Sequence, residues 1–425
     1  MRRLVIVLCC AGLLAAVLTL VGSPAGAQTG EGEAGGPPRP APAGTHWTYV
    51  ASHRPEARPE VVGGTPATPG TFPYQVALSD PDLPGLNIRG QFCGGSLIAP
   101  DTVLTAAHCV VAGLWVLVGP DDQILDVQVD LLRPTDVDIL AGDVDLGRDS
   151  AAERLDVRQI RVDPAFMVDF DATFNFFVPD VAILQLASAS TTGTPVALAV
   201  PGQEGLYPAG TNATVSGWGN TGNALEAPPT ILQQATLPIV ADGECATAYG
   251  SDVDASRNLC AGDLADGLPT PCFGDSGGPL VIDDNGTPLQ VGVVLGGDGC
   301  PAPERPAVFS RVAANADFVG RYLDPDEVPD RPLRVRASQR GATLRVSWRP
   351  PDFDGGTKIT GYRVAVSGGV PAVTVGGSSR HVDVGLQGSP LRPGRTYTVK
   401  VRALNAVGQS APTTRTVTIA PIALP

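Results

Sequence analysis

The chain has 425 residues, 43% of them hydrophobic and 17% charged, with 51 Gly, 41 Pro and a formal net charge of −14. That length and apolar content exclude a wholly disordered chain and supply two or three domains with their own cores. Abundant but aperiodic Gly and Pro exclude collagen and favour turn-rich β structure, and the negative balance argues against nucleic acid as a partner.

In chain order, Met1-Arg2-Arg3 precede an apolar run from Leu4 to Val21 and the small-residue pattern Ala25-Gly26-Ala27. Residues 1–27 read as a secretory signal peptide, so the mature protein is expected to be secreted and extracellular. A membrane anchor is the alternative for a run of that length. Residues 28–60, rich in Gly, Pro, Ala and Glu without apolar periodicity, are expected to form a flexible pro-segment.

From Val61 to Leu323 short apolar stretches are punctuated by Gly, Pro and Asp. Strands are expected at Phe72–Leu78, Gly95–Ile98, Thr102–Ala106, Val181–Leu186, Ala213–Gly217 and Gln290–Leu295, and a helix at Ala313–Leu323. Many short strands with turn signals indicate an all-β barrel or sandwich. Residues 324–332 read as a stiff polar linker, and 333–420 as a second β unit. The charge split agrees: residues 331–425 hold 14 basic and three acidic side chains, a net +11, against −25 for residues 1–330.

Cys9 and Cys10 fall in the signal segment, which leaves Cys93, Cys109, Cys245, Cys260, Cys272 and Cys300. An even number in an exported chain reads as three disulfides, with 15 pairings open. No C-x-x-C pair occurs and only four histidines are present, so no metal is expected.

Two motifs carry chemistry. Thr105-Ala106-Ala107-His108-Cys109 places a histidine before a half-cystine, and Gly274-Asp275-Ser276-Gly277-Gly278-Pro279 places a serine on a glycine-flanked turn. A serine hydroxyl is a poor nucleophile until a base takes its proton, and a histidine, neutral near pH 7, suits that task. His108 is the one histidine between residues 61 and 323. A buried carboxylate must then fix the imidazole tautomer, and Asp180, opening Val181-Ala182-Ile183-Leu184, is the best candidate.

With Val61-Val62-Gly63-Gly64 and Gly217-Trp218-Gly219, these motifs make residues 61–323 resemble the chymotrypsin/trypsin family of secreted serine endopeptidases, in its bacterial trypsin-like style. The resemblance implies two antiparallel Greek-key β-barrels, a His108, Asp180 and Ser276 triad, and an oxyanion hole from the N–H groups of Gly274 and Ser276. It implies the pairs Cys93–Cys109, Cys245–Cys260 and Cys272–Cys300. It also implies a zymogen: cleavage before Val61 frees an α-ammonium that pairs with Asp275. Thr270, Gly297 and Ala307 fall at the specificity pocket, whose neutral base suggests cleavage after apolar residues. An acidic preference, with Arg305 nearby, or a trypsin-like one are the alternatives. The expected partners are protein or peptide substrates and an activating protease, with the chain a monomer that needs no cofactor.

Departures from the family stand at Phe273 and at Leu295-Gly296-Gly297, where Ser-Trp-Gly is usual. They support a rival reading, an inactive homologue acting as an adhesion or binding module. Ser79–Gln91 and the Asp-rich Ala112–Leu140 read as long insertions. Asp143–Glu153 reads as a solvated acidic loop, with calcium as the lesser alternative.

Residues 333–420 resemble a fibronectin type III domain, on Leu344-Arg345-Val346-Ser347-Trp348, Gly361-Tyr362-Arg363-Val364 and Leu391-Arg392-Pro393-Gly394-Arg395-Thr396-Tyr397. The resemblance implies a β-sandwich with Trp348 in its core and Tyr397 as a tyrosine corner. Its positive charge suits an anionic surface such as a cell wall, and a plain spacer is the other reading.

Overall fold

The computed structural model describes residues 40–51, 61–83, 87–120, 123–147, 150–163, 165–166, 179–219, 230–297, 302–323, 327–340, 343–351, 353–385 and 392–420. The signal segment, the ends of the pro-segment and Cys300 lie outside them. The chain divides into two units, Met1–Val319 and Gly320–Pro425.

The first unit begins with strands β1 (His46–Ala51), β2 (Thr65–Pro66), β3 (Gln75–Ser79), β4 (Gln91–Ala99) and β5 (Thr102–Thr105). Next come β6 (Val111–Val118), β7 (Ile124–Leu131), β8 (Asp138–Ala141), β9 (Glu153–Val162) and β10 (Ala182–Leu186). Its second half holds β11 (Ala197–Leu198), β12 (Asn212–Gly217), β13 (Gln233–Pro238), β14 (Asn258–Ala261), β15 (Pro279–Asp284), β16 (Thr287–Gly296) and β17 (Ala307–Arg311). All six expected strands are present, shifted by a few residues at their ends. The expected helix is a 3₁₀ turn, Ala313–Asn315, running into an α-helix, Ala316–Leu323.

Six strands close a barrel in the order β10-β5-β4-β3-β8-β9. β3, β5 and β10 are buried along their whole length, so their apolar residues stand side by side (Val76-Ala77-Leu78, Val103-Leu104, Ala182-Ile183-Leu184) instead of alternating with polar ones. The second sheet runs β14-β17-β16-β15-β12-β13-β2, with β11 beside β16. It curls until an isolated bridge, Ile239 to Ala261, joins the end of β13 to β14. Its core contains Val61, Val215, Leu237, Leu280, Val291 and Phe309. Buried side-chain hydrogen bonds join the halves, among them Ser216 Oγ to Gln75 Oε1 and Ser96 Oγ to Gln290 Oε1, each 2.7 Å.

One expectation needs correction. Residues 28–60, expected to be flexible, contain β1, which pairs with β6. Its Trp47-Thr48-Tyr49-Val50 has the β-branched and aromatic character that strands favour. Within the Asp-rich insertion, most of Ala112–Leu131 forms the β6–β7 hairpin, so β1, β6 and β7 make a separate three-stranded sheet. In β7 the acids alternate with Val127, Val129 and Leu131, a period of two that fits a strand.

The second unit is a β-sandwich. One sheet holds β18 (Leu333–Arg340), β19 (Thr343–Arg349) and β22 (His381–Gly385); the other is ordered β21 (Val373–Gly376), β20 (Gly361–Val366), β23 (Thr396–Leu404), β24 (Thr413–Thr418). Trp348 and Tyr362 meet in its core with ring centroids 5.1 Å apart. The Tyr397 hydroxyl accepts the Arg392 N–H at 2.7 Å, the tyrosine corner expected from sequence. The linker expectation shortens here, because the Glu327 carbonyl accepts from Asn405 Nδ2 and the Asp330 N–H donates to Phe353. The sandwich therefore begins before residue 333.

Candidate active site

His108 opens a 3₁₀ turn directly after β5, and Asp180 precedes β10, the neighbour of β5 in the barrel. Pairing of Ala182 with Thr105 therefore brings the two side chains to one end of the barrel. The His108 backbone N–H donates to Asp180 Oδ1 at 2.8 Å, and the ring Nδ1 lies 2.6 Å from Asp180 Oδ2. A carboxylate facing Nδ1 fixes the proton there, so Nε2 carries the lone pair in the neutral ring. The Asp180 side chain is 7% exposed and that of His108 33%. Burial pulls the His108 pKa down, but the charge of Asp180 and its hydrogen bond together outweigh that, and the net shift is upward.

Ser276 lies on the turn that leads into β15, in the second half of the unit. That turn docks onto the barrel: the Gly94 N–H donates to the Ser276 carbonyl at 2.8 Å, and Cys109 Sγ lies 3.6 Å from the same oxygen. Gly277 has φ +79°, and a Cβ there would stand 2.1 Å from Thr105 Oγ1 and 2.6 Å from the Gly94 carbonyl. A side chain at 277 would thus push the serine turn away from the β5 end that carries His108. The Cys93–Cys109 disulfide ties the same two barrel segments together.

The turn's donors are sharply divided. The Asp275, Gly277 and Gly278 N–H groups each bond a backbone carbonyl. Among the described residues, the Gly274 and Ser276 N–H groups have no protein partner. Gly274 holds φ +96°, and its carbonyl is fixed by Gln91 Nε2 at 2.8 Å. The sequence reading does not single out Gln91; a glutamine heading a buried strand was the available signal.

Asp275 is fully buried and accepts from the Gly219 and Cys272 N–H groups, both at 2.8 Å. Burial pushes its carboxyl up to about 7 despite those donors. A Cβ at Gly219 would come within 2.4 Å of its Cγ, so the Gly217-Trp218-Gly219 segment wraps it closely. Val61 is buried in the second core, and Val62 exchanges both backbone hydrogen bonds with Thr270. In the full-length chain Asp275 thus bonds backbone amides, and the Val61-Val62 segment adjoins Thr270.

Thr270 is 7% exposed and its hydroxyl donates to the Pro271 carbonyl. Ala307 is buried opposite Ala261, Leu295 is buried, and Gly297 is half-buried. Arg305 stacks over the Tyr249 ring, 5.1 Å from its centroid. Phe273 is 44% exposed. The Cys245–Cys260 bridge is present, and Cys272 is disulfide-bonded.

Among the described residues, one group of side chains could gather around a metal ion. Cys93, His108 and Cys109 gather closely, but the two sulfurs are bonded to each other. Three described carboxylates of the acidic loop meet separate local donors: Asp143 the Asp145 and Ala151 N–H groups, Asp145 that of Gly147, and Glu153 Ser190, Thr191 and Thr192. These residues do not fit a calcium cage, which needs six or more oxygens converging on one point.

Residues 61–319 match the Trypsin family profile, and residues 329–419 that of the fibronectin type III domain. The chain is 33% identical to Trypsin-1 of Astacus astacus over 61% of its length and 98% of that protein. It is 34% identical to Trypsin of Saccharopolyspora erythraea, over 63% of this chain and all of the relative. It is likewise 34% identical to Tryptase of Mus musculus, over 63% of this chain and 90% of the relative.

Proposed function

Since the chain belongs to the trypsin family of serine endopeptidases, we propose that it cleaves peptide bonds with Ser276 as nucleophile, His108 as base and Asp180 as orienting carboxylate. His108 Nε2 takes the Ser276 hydroxyl proton as Oγ attacks the scissile carbonyl. The oxyanion is held by the Gly274 and Ser276 N–H groups, each such donor worth on the order of 10²–10³ in turnover. His108 then returns the proton to the leaving amine, and water releases the acyl-enzyme by the same exchange. Proteases of this family generally need no cofactor.

The observation that carries this reading is the paired bond from His108 to Asp180 beside a serine turn whose two unpartnered N–H groups are Gly274 and Ser276. It weighs against the binding-module reading, which gives no reason for that division of donors. The test is labelling with a serine-reactive phosphonate together with peptide hydrolysis. Ser276→Ala and His108→Ala should each remove labelling and activity while the fold persists. Near-normal turnover in either variant refutes the assignment.

Activation before Val61 is part of the proposal, with Asp275 receiving the new α-ammonium. The bond following Glu60 suits a glutamyl-selective activator better than a trypsin-like one. A neutral Thr270 at the pocket base supports apolar residues before the cut, because a buried Arg side chain would lose its water without gaining a partner. Arg305 lies over Tyr249, which gives the acidic alternative less support. Matched Leu, Phe, Arg and Glu substrates decide it: a clearly faster Arg substrate refutes the apolar preference. Secretion follows from the signal segment. No helix among the described residues is long and apolar enough to cross a membrane.

A further inference from the structure

Strand β1 has a place in the fold that a cut before Val61 does not by itself remove. It runs antiparallel to β6 over six consecutive pairs, from His46 opposite Val118 to Ala51 opposite Gly113, with no shift of register. Among the described residues β6 otherwise pairs only with β7. Leu114, Val116, Leu117 and Val118 of β6 are all buried. Loss of β1 would expose one edge of this apolar strand, an arrangement that invites pairing with another chain.

The side chains add specificity. Directly paired residues share a sheet face, so Trp47 stands over Leu117 and Tyr49 over Trp115, whose rings lie 4.8 Å apart. The Asp130 carboxylate on β7 acts on the Tyr49 hydroxyl from across β6. The register explains how: Gly113 lies between Ala51 and Asp130 on that face and puts no side chain in the way. Burial and the Asp130 charge push the Tyr49 pKa up to about 12, so the hydroxyl remains a donor at any ordinary pH. Residues 28–60 contain no cysteine, so no disulfide can hold the segment once it is cut.

We propose that the pro-segment is not released on activation but stays as a second, non-covalent chain, with β1 completing the β1–β6–β7 sheet. The idea rests on the activation reading above, because the cut must fall between β1 and Val61.

The test uses the full chain with residues 56–60 replaced by Asp-Asp-Asp-Asp-Lys, so that enteropeptidase cuts before Val61 whatever the natural activator is. Ser276→Ala prevents self-digestion. After N-terminal sequencing verifies Val61, native gel filtration followed by mass spectrometry should find one pro-peptide per body. Tyr49→Pro, a change confined to the segment, should cut the retained fraction at least tenfold, and Trp115→Ala should speed release by a similar factor. A parent pro-peptide that elutes free of the body overturns the proposal, as does full retention in Tyr49→Pro. Failure of the activation reading shows separately: the same cut in the Ser276 chain would then fail to produce phosphonate labelling, whether or not the peptide is retained.

Discussion

At the scale of single residues, two carboxyl groups of the same type are set to opposite tasks by their surroundings. Asp180 meets a ring nitrogen and a backbone N–H of His108, and it holds the His108 pKa above the ordinary histidine value of 6.5. A base must be neutral to accept a proton, so activity should fall as pH drops through that raised value. Asp180→Asn should lower turnover by on the order of 10⁴ by favouring the wrong tautomer, and should move the acid limb to lower pH. A pH–rate profile of both proteins checks this, and an unmoved limb contradicts it. Asp275 is the opposite case, with burial raising its carboxyl from 3.8 to about 7. A group raised on folding contributes stability below its unfolded pKa and loses it as pH rises through the folded value. The uncut Ser276→Ala chain should therefore lose stability between about pH 4 and pH 7, by a few kcal/mol at roughly 1.4 kcal/mol per pKa unit. Urea midpoints across that range test it, with Asp275→Asn expected to flatten the slope. Pairing with a Val61 α-ammonium would reverse the sign, since the charged carboxylate is then the favoured form.

At the scale of elements, the two halves of the protease unit meet through buried polar pairs as well as apolar surface. Ser216 Oγ donates to Gln75 Oε1, and both residues are almost fully buried. Ser216→Ala leaves that amide oxygen without its donor and should cost about 1–3 kcal/mol in unfolding free energy. The cost should shrink when Gln75→Leu removes the acceptor too, so a double-mutant cycle by urea unfolding gives a coupling energy; strict additivity would deny the pair any role. Such glutamines are invisible to pattern reading, because a polar letter inside an apolar strand gives no hint of a partner 141 residues away. The same limit hid Gln91. His108, Asp180 and Ser276 stood out as candidates because the proposed chemistry demands fixed residue types on recognisable turns. The strands β3, β5 and β10 were legible from apolar runs long enough to be buried on both faces. β1 and β7 were not: prolines flank β1, and the aspartates of β7 mimic loop signals although they alternate with valines. Pairing with β6 decided both, from far along the chain for β1 and through a local hairpin for β7.

At the scale of the whole molecule, the charge division is the property that neither unit explains alone. Residues 1–330 carry −25 and residues 331–425 carry +11, so the full chain is acidic on average while its last quarter is basic. Arg345 and Asp383 form one ion pair on the sandwich, leaving the unit's charge strongly unbalanced. An anionic polymer approaching the chain is repelled by the protease unit and attracted by the sandwich, and the attraction acts over a Debye length of about 10 Å at 0.1 M salt. If the sandwich is a tether, the full chain should pellet with isolated anionic cell walls at low ionic strength and be released as salt rises, whereas a chain ending at Leu323 should stay in solution throughout. Peptide hydrolysis by the shortened enzyme should remain near that of the full chain, because all the proposed catalytic groups lie within residues 61–319, the segment that matches the trypsin family. Binding that ignores salt would point to a specific contact instead of charge. Equal pelleting of the two chains would leave the sandwich as a spacer.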